Sequence, residues 1–399
     1  MIKVFRNAKL IDGSGQAQLE NAVLAVEDEK ILYAGKTEDF VQPQNAEVIE
    51  LAGQTIIPGL IDCHIHMDLH GMPDTHDENF VEDKLRAIRT ARNMEKTLQK
   101  GITTIRNVGS VNHIDFAVKA AVEDGWCNGP RIFTSGQIIS MTARGNDYFK
   151  GMYREADGVD EVRKAAREQL KAGADLLKVM ATGAYMNPGG TPGAVQFNLD
   201  ELKVIVEEAG KLGLRVAAHA HAAQGIINSA MAGAKTIEHA SFLDEKGIEL
   251  MLEKDIFLIP TLSAGYHILK HEQSQEVPRF MIEKNMDMRK TRSNNVKKAI
   301  QAGIKVAFGS DAGTSYNYHG LNATELILWI NEGFMSPLEA ISCGTRVAAE
   351  AIGIEDMVGT LEEGKLADFV IVEGDLTANL DPLLNNIVAV YKEGKKVTL

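Results

Sequence analysis

The chain has 399 residues and a formal net charge of −13, with 42 basic against 55 acidic side chains. Its 45% apolar and 24% charged residues are typical of a water-soluble globular protein, long enough for one large domain and a smaller one. The acidic balance argues against nucleic acid as a partner, because phosphates bind to basic surfaces. No apolar run approaches the ~18–20 residues of a membrane span. Three scattered cysteines suit a reducing compartment, so we expect a cytoplasmic protein.

The two ends of the chain share one pattern. Residues 1–57 contain short apolar or alternating runs, separated by turn sequences such as Asp12-Gly13-Ser14-Gly15, and this pattern returns over residues 358–399. We therefore expect both segments to form one small β-sandwich domain.

Residues 58–357 instead alternate strand-like and helical patterns, and a glycine often stands between a helix and the next strand. The helical patterns cover Glu82–Leu98, Asp160–Lys171, Leu199–Lys211 and Met281–Gln301. Eight apolar runs indicate strands: Ile56–His64, Ile102–Val108, Arg131–Gln137, Ala174–Met180, Leu214–His221, Ala234–His239, Ile256–Thr261 and Ile304–Asp311. This predicts an α/β fold, a closed (β/α)8 TIM barrel. The alternative is a doubly wound open sheet, but no Gly-x-Gly-x-x-Gly turn follows an early strand.

Polar residues gather at the carboxyl ends of these strands, where such barrels place their active sites. His64 and His66 end the first strand, and their spacing directs both imidazoles to the same face. The other strand ends carry His219, His221, His239 and Asp311. Imidazole and carboxylate together suit zinc or another first-row divalent ion.

The fourth strand contains a lysine, Lys178, among apolar residues. One interpretation is that it lies near the strand end and reaches solvent. The other is that CO₂ carbamylates its amine, which converts a costly buried cation into an anionic ligand able to bridge two metals. The strand alone does not decide between them.

At this point the chain resembles the amidohydrolase superfamily, and more narrowly its binuclear dipeptidase and carboxypeptidase branch of prolidase-like, Xaa-Arg dipeptidase-like and ochratoxinase-like enzymes. The resemblance covers nearly the whole chain. It rests on Pro58–Asp62 before the first histidines, on Gly101–Arg106, on Gly359–Asp368 and on the order of the polar strand-end residues.

The resemblance implies two divalent metal ions, which we expect to be zinc, bridged by carbamylated Lys178 and a hydroxide. The ligand set it implies is His64, His66 and Asp311 for one ion and His219 and His239 for the other, with His221 as a substrate-contacting residue. The reverse assignment of His219 and His221 would leave the mechanism the same. Asp311 would take the hydroxide's proton and pass it to the leaving amine. His221, or Tyr185 in the loop after strand four, would stabilise the oxyanion.

The substrate side rests on loop residues. Arg144 stands where many relatives carry a histidine, and it is either a ligand for a substrate carboxylate or an exposed loop arginine. His319, in the loop after strand eight, is a second candidate contact. Asn107 replaces the family's usual aspartate, which alters the support around the metals.

These observations predict a metal-dependent hydrolase of an amide or peptide bond, in a dipeptide or an N-acyl amino acid. The alternatives are a cyclic-amide, aryl-amide or urea hydrolase on the same site, and a catalytically silent relative that acts as a scaffold. We expect a small-molecule or dipeptide substrate, a homo-oligomer, and neither nucleic acid nor membrane as partner.

Overall fold

The computed structural model describes residues 1–398 and confirms the α/β barrel. Its strands are β1 Ile2–Leu10, β2 Leu19–Glu27, β3 Lys30–Lys36, β4 Glu47–Glu50, β5 Thr55–Pro58, β6 Leu60–Ile65, β7 Ile102–Asn107, β8 Arg131–Thr134, β9 Ile138–Ser140, β10 Tyr153–Glu155, β11 Leu176–Met180, β12 Arg215–Ala220, β13 Thr236–His239, β14 Phe257–Ile259, β15 Phe369–Val372, β16 Ile387–Lys392 and β17 Lys395–Lys396.

The helices lie mainly between the barrel strands. They are α1 Asp83–Gln99, α2 Ile114–Glu123, α3 Gly158–Ala172, α4 Leu199–Gly210, α5 Ala223–Ala232, α6 Glu245–Glu253, α7 Leu262–Lys270, α8 Arg279–Gln301, α9 Thr324–Asn331, α10 Pro337–Cys343, α11 Arg346–Ile352 and α12 Pro382–Asn385. The four helices predicted from the sequence all form, with ends within two residues of the expected ones. Among residues 1–398, no helix combines the length and apolar character needed to cross a membrane.

The strands from the two ends of the chain form one eight-stranded sheet, in the order β17-β16-β15-β5-β1-β2-β3, with β4 also paired to β1. Because β1 pairs with three strands, the sheet branches, and both of its arms contribute to one core. In that core the ring of Phe369 stacks on Tyr391 at 4.4 Å, and Phe5 meets both rings edge-on. The small β domain is therefore built from both termini.

The barrel strands are parallel and buried, with β6-β7-β8 in one ladder and β9-β11-β12-β13-β14 in another. The predicted eighth strand is irregular: within residues 304–311 only a single β-bridge forms, between Val306 and Leu258. It still closes the barrel, because Ala307 N donates to Leu258 O at 3.0 Å and Cys63 N donates to Phe308 O at 2.8 Å.

Candidate metal centre and active site

Five histidines meet at the carboxyl ends of three barrel strands. His64 and His66 come from β6 and its end, His219 and His221 from β12 and its end, and His239 from β13. The ring centres of His219 and His239 lie 4.5 Å apart, and those of His64 and His239 lie 5.0 Å apart. The sequence prediction that these imidazoles converge is therefore matched by the geometry.

Lys178 and Asp311 complete this cluster. Asp311 Oδ1 lies 3.5 Å from His64 Nε2 and 3.6 Å from His66 Nε2, and it is buried without a hydrogen-bond partner. Lys178 is buried in β11 and lies within 4 Å of no carboxylate among residues 1–398. Burial raises the pKa of Asp311 to about 7 and lowers the pKa of Lys178 to about 8. Burial thus disfavours the charged form of both groups.

Hydrogen bonds to the outer ring nitrogens orient the imidazoles. Nδ1 of His64 contacts Glu238 Oε2 at 2.6 Å, Nδ1 of His66 donates to Gly109 O at 3.0 Å, and Nδ1 of His239 contacts Thr261 Oγ1 at 2.5 Å. Each ring therefore keeps Nε2 free to bind a metal, the usual consequence of such outer contacts.

In His219 the roles of the two ring nitrogens are exchanged: Nε2 contacts Gly183 O at 3.3 Å, and Nδ1 is left free. His221 keeps Nε2 free, since its Nδ1 contacts Ser241 Oγ at 2.8 Å. Potential ligand atoms of His219, His221 and His239 lie within 4.8 Å of one another, as do those of His64, His239 and Asp311. The donor set thus fits a divalent metal site, and His221 lies within ligand distance of the other donors as well.

The sequence reasoning missed the role of Glu238. Arg106 Nη2 donates to both Glu238 oxygens at 3.0 Å. Burial by itself would raise the pKa of Glu238, but this guanidinium and His64 outweigh it and hold that pKa well below its usual value. Strand alternation predicts that Glu238 and His239 face opposite sides, but His239 has a left-handed φ of 71°, so both side chains reach His64. A glutamate and an arginine, each inside an apolar strand, were the available signal, although their strands β7 and β13 are not neighbours in the barrel.

Positive φ at two residues of the cluster marks local backbone strain. Besides His239, Asp311 has a φ of 56°, a region that non-glycine residues seldom adopt. Asp311 N donates to His64 O at 2.7 Å, which holds the turn against β6. Such strain persists where surrounding contacts impose it, and it is common at functional sites.

Asn107 contacts backbone and a hydroxyl. Its Oδ1 accepts from Met67 N at 2.9 Å, and its Nδ2 donates to Thr134 Oγ1 at 2.9 Å. Asn107 thus connects β7 to the segment after β6 and to β8.

A cavity of about 50 Å³ lies over the cluster. Its floor is formed by the candidate ligands, with Tyr153, Tyr185 and Asn187 at its polar edge. The remaining wall is largely apolar: Leu69, Ile138, Phe149, Met152, Met180, Ala184 and Met186. The cavity therefore favours an apolar group beside the bond that reacts.

The predicted substrate contacts occupy different places. Tyr185 lines the cavity, and its hydroxyl is buried without a hydrogen-bond partner. His221 is fully buried behind His219 and His239. Arg144 is exposed and packs against Gly189 at the rim, and His319 lies outside the cavity wall with its Nε2 donating to Leu69 O at 2.9 Å. The structure therefore brings Tyr185 and His221 to the cluster, and Arg144 and His319 lie outside it.

A (β/α)8 barrel with imidazoles, a lysine and an aspartate at its strand ends defines a metal-dependent hydrolase. The Amidohydrolase family model matches residues 55–397, so the chain belongs to the amidohydrolase family. The protein is an enzyme of this family, a hydrolase that acts on C–N bonds.

Three comparisons give the same result. Ochratoxinase of Aspergillus niger is 32% identical over 98% of this chain and 83% of its own. The crystal structure of a Xaa-Pro dipeptidase with methionine bound in its active site matches with a TM-score of 0.91 and 30% identity, over 99% of each chain. The crystal structure of Aspergillus niger ochratoxinase matches with a TM-score of 0.88 and 30% identity, over 99% of this chain and 95% of the other.

Proposed function

We propose that the protein hydrolyses the amide bond of dipeptides or N-acyl amino acids, with two divalent ions at the histidine cluster. One observation carries this proposal: each imidazole of the ligand set has one nitrogen engaged by the surrounding protein and its other nitrogen free within the same small volume. A purely structural cluster has no need for free lone pairs, because buried polar atoms are normally paired.

The ligand set follows from these free atoms. One zinc ion would be held by His64, His66 and Asp311, and the other by His219 and His239. Lys178 would be a shared ligand as a carbamate: its neutral amine nitrogen would form a bond to the carbon of CO₂, and a proton would leave to water. The lowered pKa of Lys178 and its lack of a carboxylate partner support this modification.

When bound, the ions would act as Lewis acids toward the scissile carbonyl and lower the pKa of a bound water. Asp311 accepts the proton of the attacking water and gives it to the leaving amine. A carboxylate is suited to both halves of this transfer, first as proton acceptor and then as proton donor. Tyr185 Oη and His221 Nε2, both buried and unpartnered, donate hydrogen bonds to the oxyanion.

The cavity supports the choice of substrate. Its apolar wall suits a substrate with an apolar or aromatic side chain next to the scissile bond. The names of the similar enzymes, a Xaa-Pro dipeptidase and an ochratoxinase, support a dipeptide or another amide. Cyclic amides, aryl amides and ureas are the alternative substrates, and a silent scaffold is the alternative role.

Metal analysis together with a substrate panel tests this proposal. Protein purified without chelators should contain about two zinc ions per chain, His66→Asn should lose metal, and the control His76→Asn should keep it, because His76 stacks on Tyr148 outside the cluster. The panel compares dipeptides, N-acyl amino acids, aryl amides, cyclic amides and ureas for released amine. A metal-free, fully folded protein, or hydrolysis of only the last three classes, would contradict the proposal.

The cellular compartment of the protein is also part of this proposal. All three cysteines, Cys63, Cys127 and Cys343, are free in the structure. This supports the cytoplasm as the compartment. Sedimentation of the purified protein would test the expected homo-oligomer.

A further inference from the structure

A groove between α7, α8 and α9 forms a second cavity, separate from the one over the histidine cluster. Its volume is about 550 Å³, and it shares no lining residue with the cavity at the metal centre. The apolar part of its wall consists of Leu262, Tyr266, Leu269, Met286 and Leu328. Tyr266 is 36% exposed and Met286 54% exposed, so an apolar ligand could bury surface there.

Arg292 of α8 lies in the wall of this groove and lacks a charged partner. It is 3% exposed, and its Nε and Nη1 have no hydrogen-bond partner. Two other arginines are buried to this extent among residues 1–398, and both are paired. Arg86 lies 3.7 Å from Glu78. Arg106 lies 3.0 Å from Glu238. A buried charge is costly unless it is paired, so Arg292 lacks the anion that its burial requires.

Gly265 on α7 keeps the space beside this guanidinium open. Gly265 also lines the groove, and a Cβ at that position would lie 2.4 Å from Arg292 Nη2. Asn285 Nδ2 donates to Gly265 O at 2.7 Å, which holds α8 against α7 at this point. The packing of the two helices therefore builds a place for a charged group, and any side chain at position 265 would disturb it.

The other charges of the groove determine which anion fits. Lys270 and Arg289 add two cations to Arg292, whereas Glu272 and Glu332 add two carboxylates. Glu332 Oε2 accepts a hydrogen bond from Ser293 Oγ at 2.7 Å. The groove thus has one positive charge in excess, in a chain whose formal net charge is −13. A single negative charge suits this balance better than a dianion, which the two carboxylates would repel.

We propose that the groove between α7, α8 and α9 binds a monocarboxylate with an apolar body. The carboxylate pairs with the guanidinium of Arg292, whose parallel N–H groups match two carboxylate oxygens. The apolar body lies along Tyr266 and Met286 and covers their exposed surface. This site is independent of the metal ions and of the proposed reaction, because it shares no residue with the cavity at the metal centre.

Calorimetry of the zinc-loaded wild type with octanoate, octanamide and inorganic phosphate tests the proposal. Octanoate should bind at least about 10-fold tighter than either of the other two, because only octanoate combines one charge with an apolar body. A parallel titration with 3-phenylpropanoate distinguishes an aromatic from an aliphatic body. Equal affinities for octanoate and octanamide, or for octanoate and phosphate, would overturn the proposal.

Variants of the groove locate the binding. Arg292→Gln should weaken octanoate at least about 10-fold, the range of hydrogen bonds to a charged group. Gly265→Ala should cause a similar loss while the arginine is still present, which keeps the test decisive if Arg292→Gln fails to fold. Arg289→Gln should weaken octanoate by about 5-fold or less, as expected for an exposed charge. Arg279→Gln, in an exposed pair on α8 outside the groove, is the matched control and should change nothing.

A carboxylate can also bind to metal ions, and the variant His66→Asn separates the two sites. It should lose metal and keep its affinity for octanoate. If His66→Asn loses octanoate and Arg292→Gln retains it, the carboxylate binds at the metal centre and the proposal is wrong. Failure of the proposed hydrolysis leaves the expected octanoate affinity unchanged, so the two proposals are tested separately.

A second copy of the chain is the competing occupant of the groove. Sedimentation velocity of the wild type and of Tyr266→Glu tests it, since a charge on the apolar wall would disrupt a contact between copies. If the wild type does not bind octanoate and Tyr266→Glu lowers the sedimentation coefficient, the groove is an interface between copies and the carboxylate site is refuted.

Discussion

Charged side chains near the two ends of the barrel differ in how they are paired. At the junction with the β domain, Arg131 at the start of β8 donates to Asp368 Oδ2 at 2.8 Å and to Glu393 Oε1 at 2.8 Å. At the other end, Lys178 and Arg292 are buried without a carboxylate in contact. Paired charges at the first end stabilise the joint between the domains. At the second end Glu238 is paired with Arg106, whereas Lys178 has no carboxylate partner, so an unpaired buried charge lies within the candidate metal centre.

The largest effect is expected for Lys178→Ala, which removes the unpaired lysine of the candidate metal centre. Without the carbamate, the two ions lose their bridge, so we expect most metal and more than ~10³-fold of the activity to disappear, because metal supplies several kcal/mol of charge stabilisation. Formate, acetate or propionate should restore part of it by filling the space. The exposed Lys171→Ala is the control. Two bound metals and normal turnover in Lys178→Ala would show that the lysine has no role in the centre.

Glu238→Gln tests the support of the cluster. The amide can still accept from His64, but the charge that holds Arg106 and orients His64 is lost. We expect zinc affinity to fall about 10–100-fold, measured by competition with a chelator, and excess zinc to restore most turnover. Glu249→Gln, in an exposed surface pair, should leave affinity unchanged. Unaltered affinity in Glu238→Gln would limit its role to folding.

Arg131→Met tests the paired charges at the junction with the β domain. Asp368 is 3% exposed and would lose its partner, so the free energy of unfolding should fall by about 2–3 kcal/mol, while turnover per folded molecule stays the same. Denaturant unfolding measures this change. Arg279→Met removes an exposed i,i+4 pair and should cost about 0.5 kcal/mol or less. If Arg131→Met lost turnover but kept its stability, the Arg131 pairs would serve activity and would not stabilise the joint between the domains.

The smallest expected effect lies on the outer surface, at Glu208 between α3 and α4. Arg167, Lys211 and Arg163 lower the pKa of Glu208 to about 2. A lowered carboxyl pKa contributes stability above the unfolded value of 4.5, and the contribution disappears as the pH falls toward 2. Wild type should therefore exceed Glu208→Gln in stability at pH 7, by less than the Arg131 effect, with the gap closing between pH 4.5 and 2. The exposed Glu253→Gln should show no such gap.

Local sequence patterns were enough to predict the barrel, the small β domain and the group of metal-ligand candidates. Strand–helix alternation and the His-x-His spacing are local properties, since side chains two residues apart on a strand share a face. Lys178 could be identified as a candidate functional residue because burying a charged lysine in an apolar strand is energetically costly. These features depend on neighbours in the chain.

The residues that surround the candidate metal-ligating side chains could be known only from the tertiary structure. The left-handed backbone at His239, which brings Glu238 to His64, breaks the alternation on which sequence reasoning relies. The burial of Arg292 gave no signal because an arginine on a helix is usually exposed, whereas here α8 packs its side chain against Gly265 of α7. His319 likewise lies against Leu69 O, a carbonyl 250 residues away in the chain. Long-range packing sets these contacts, so no local pattern could have predicted them.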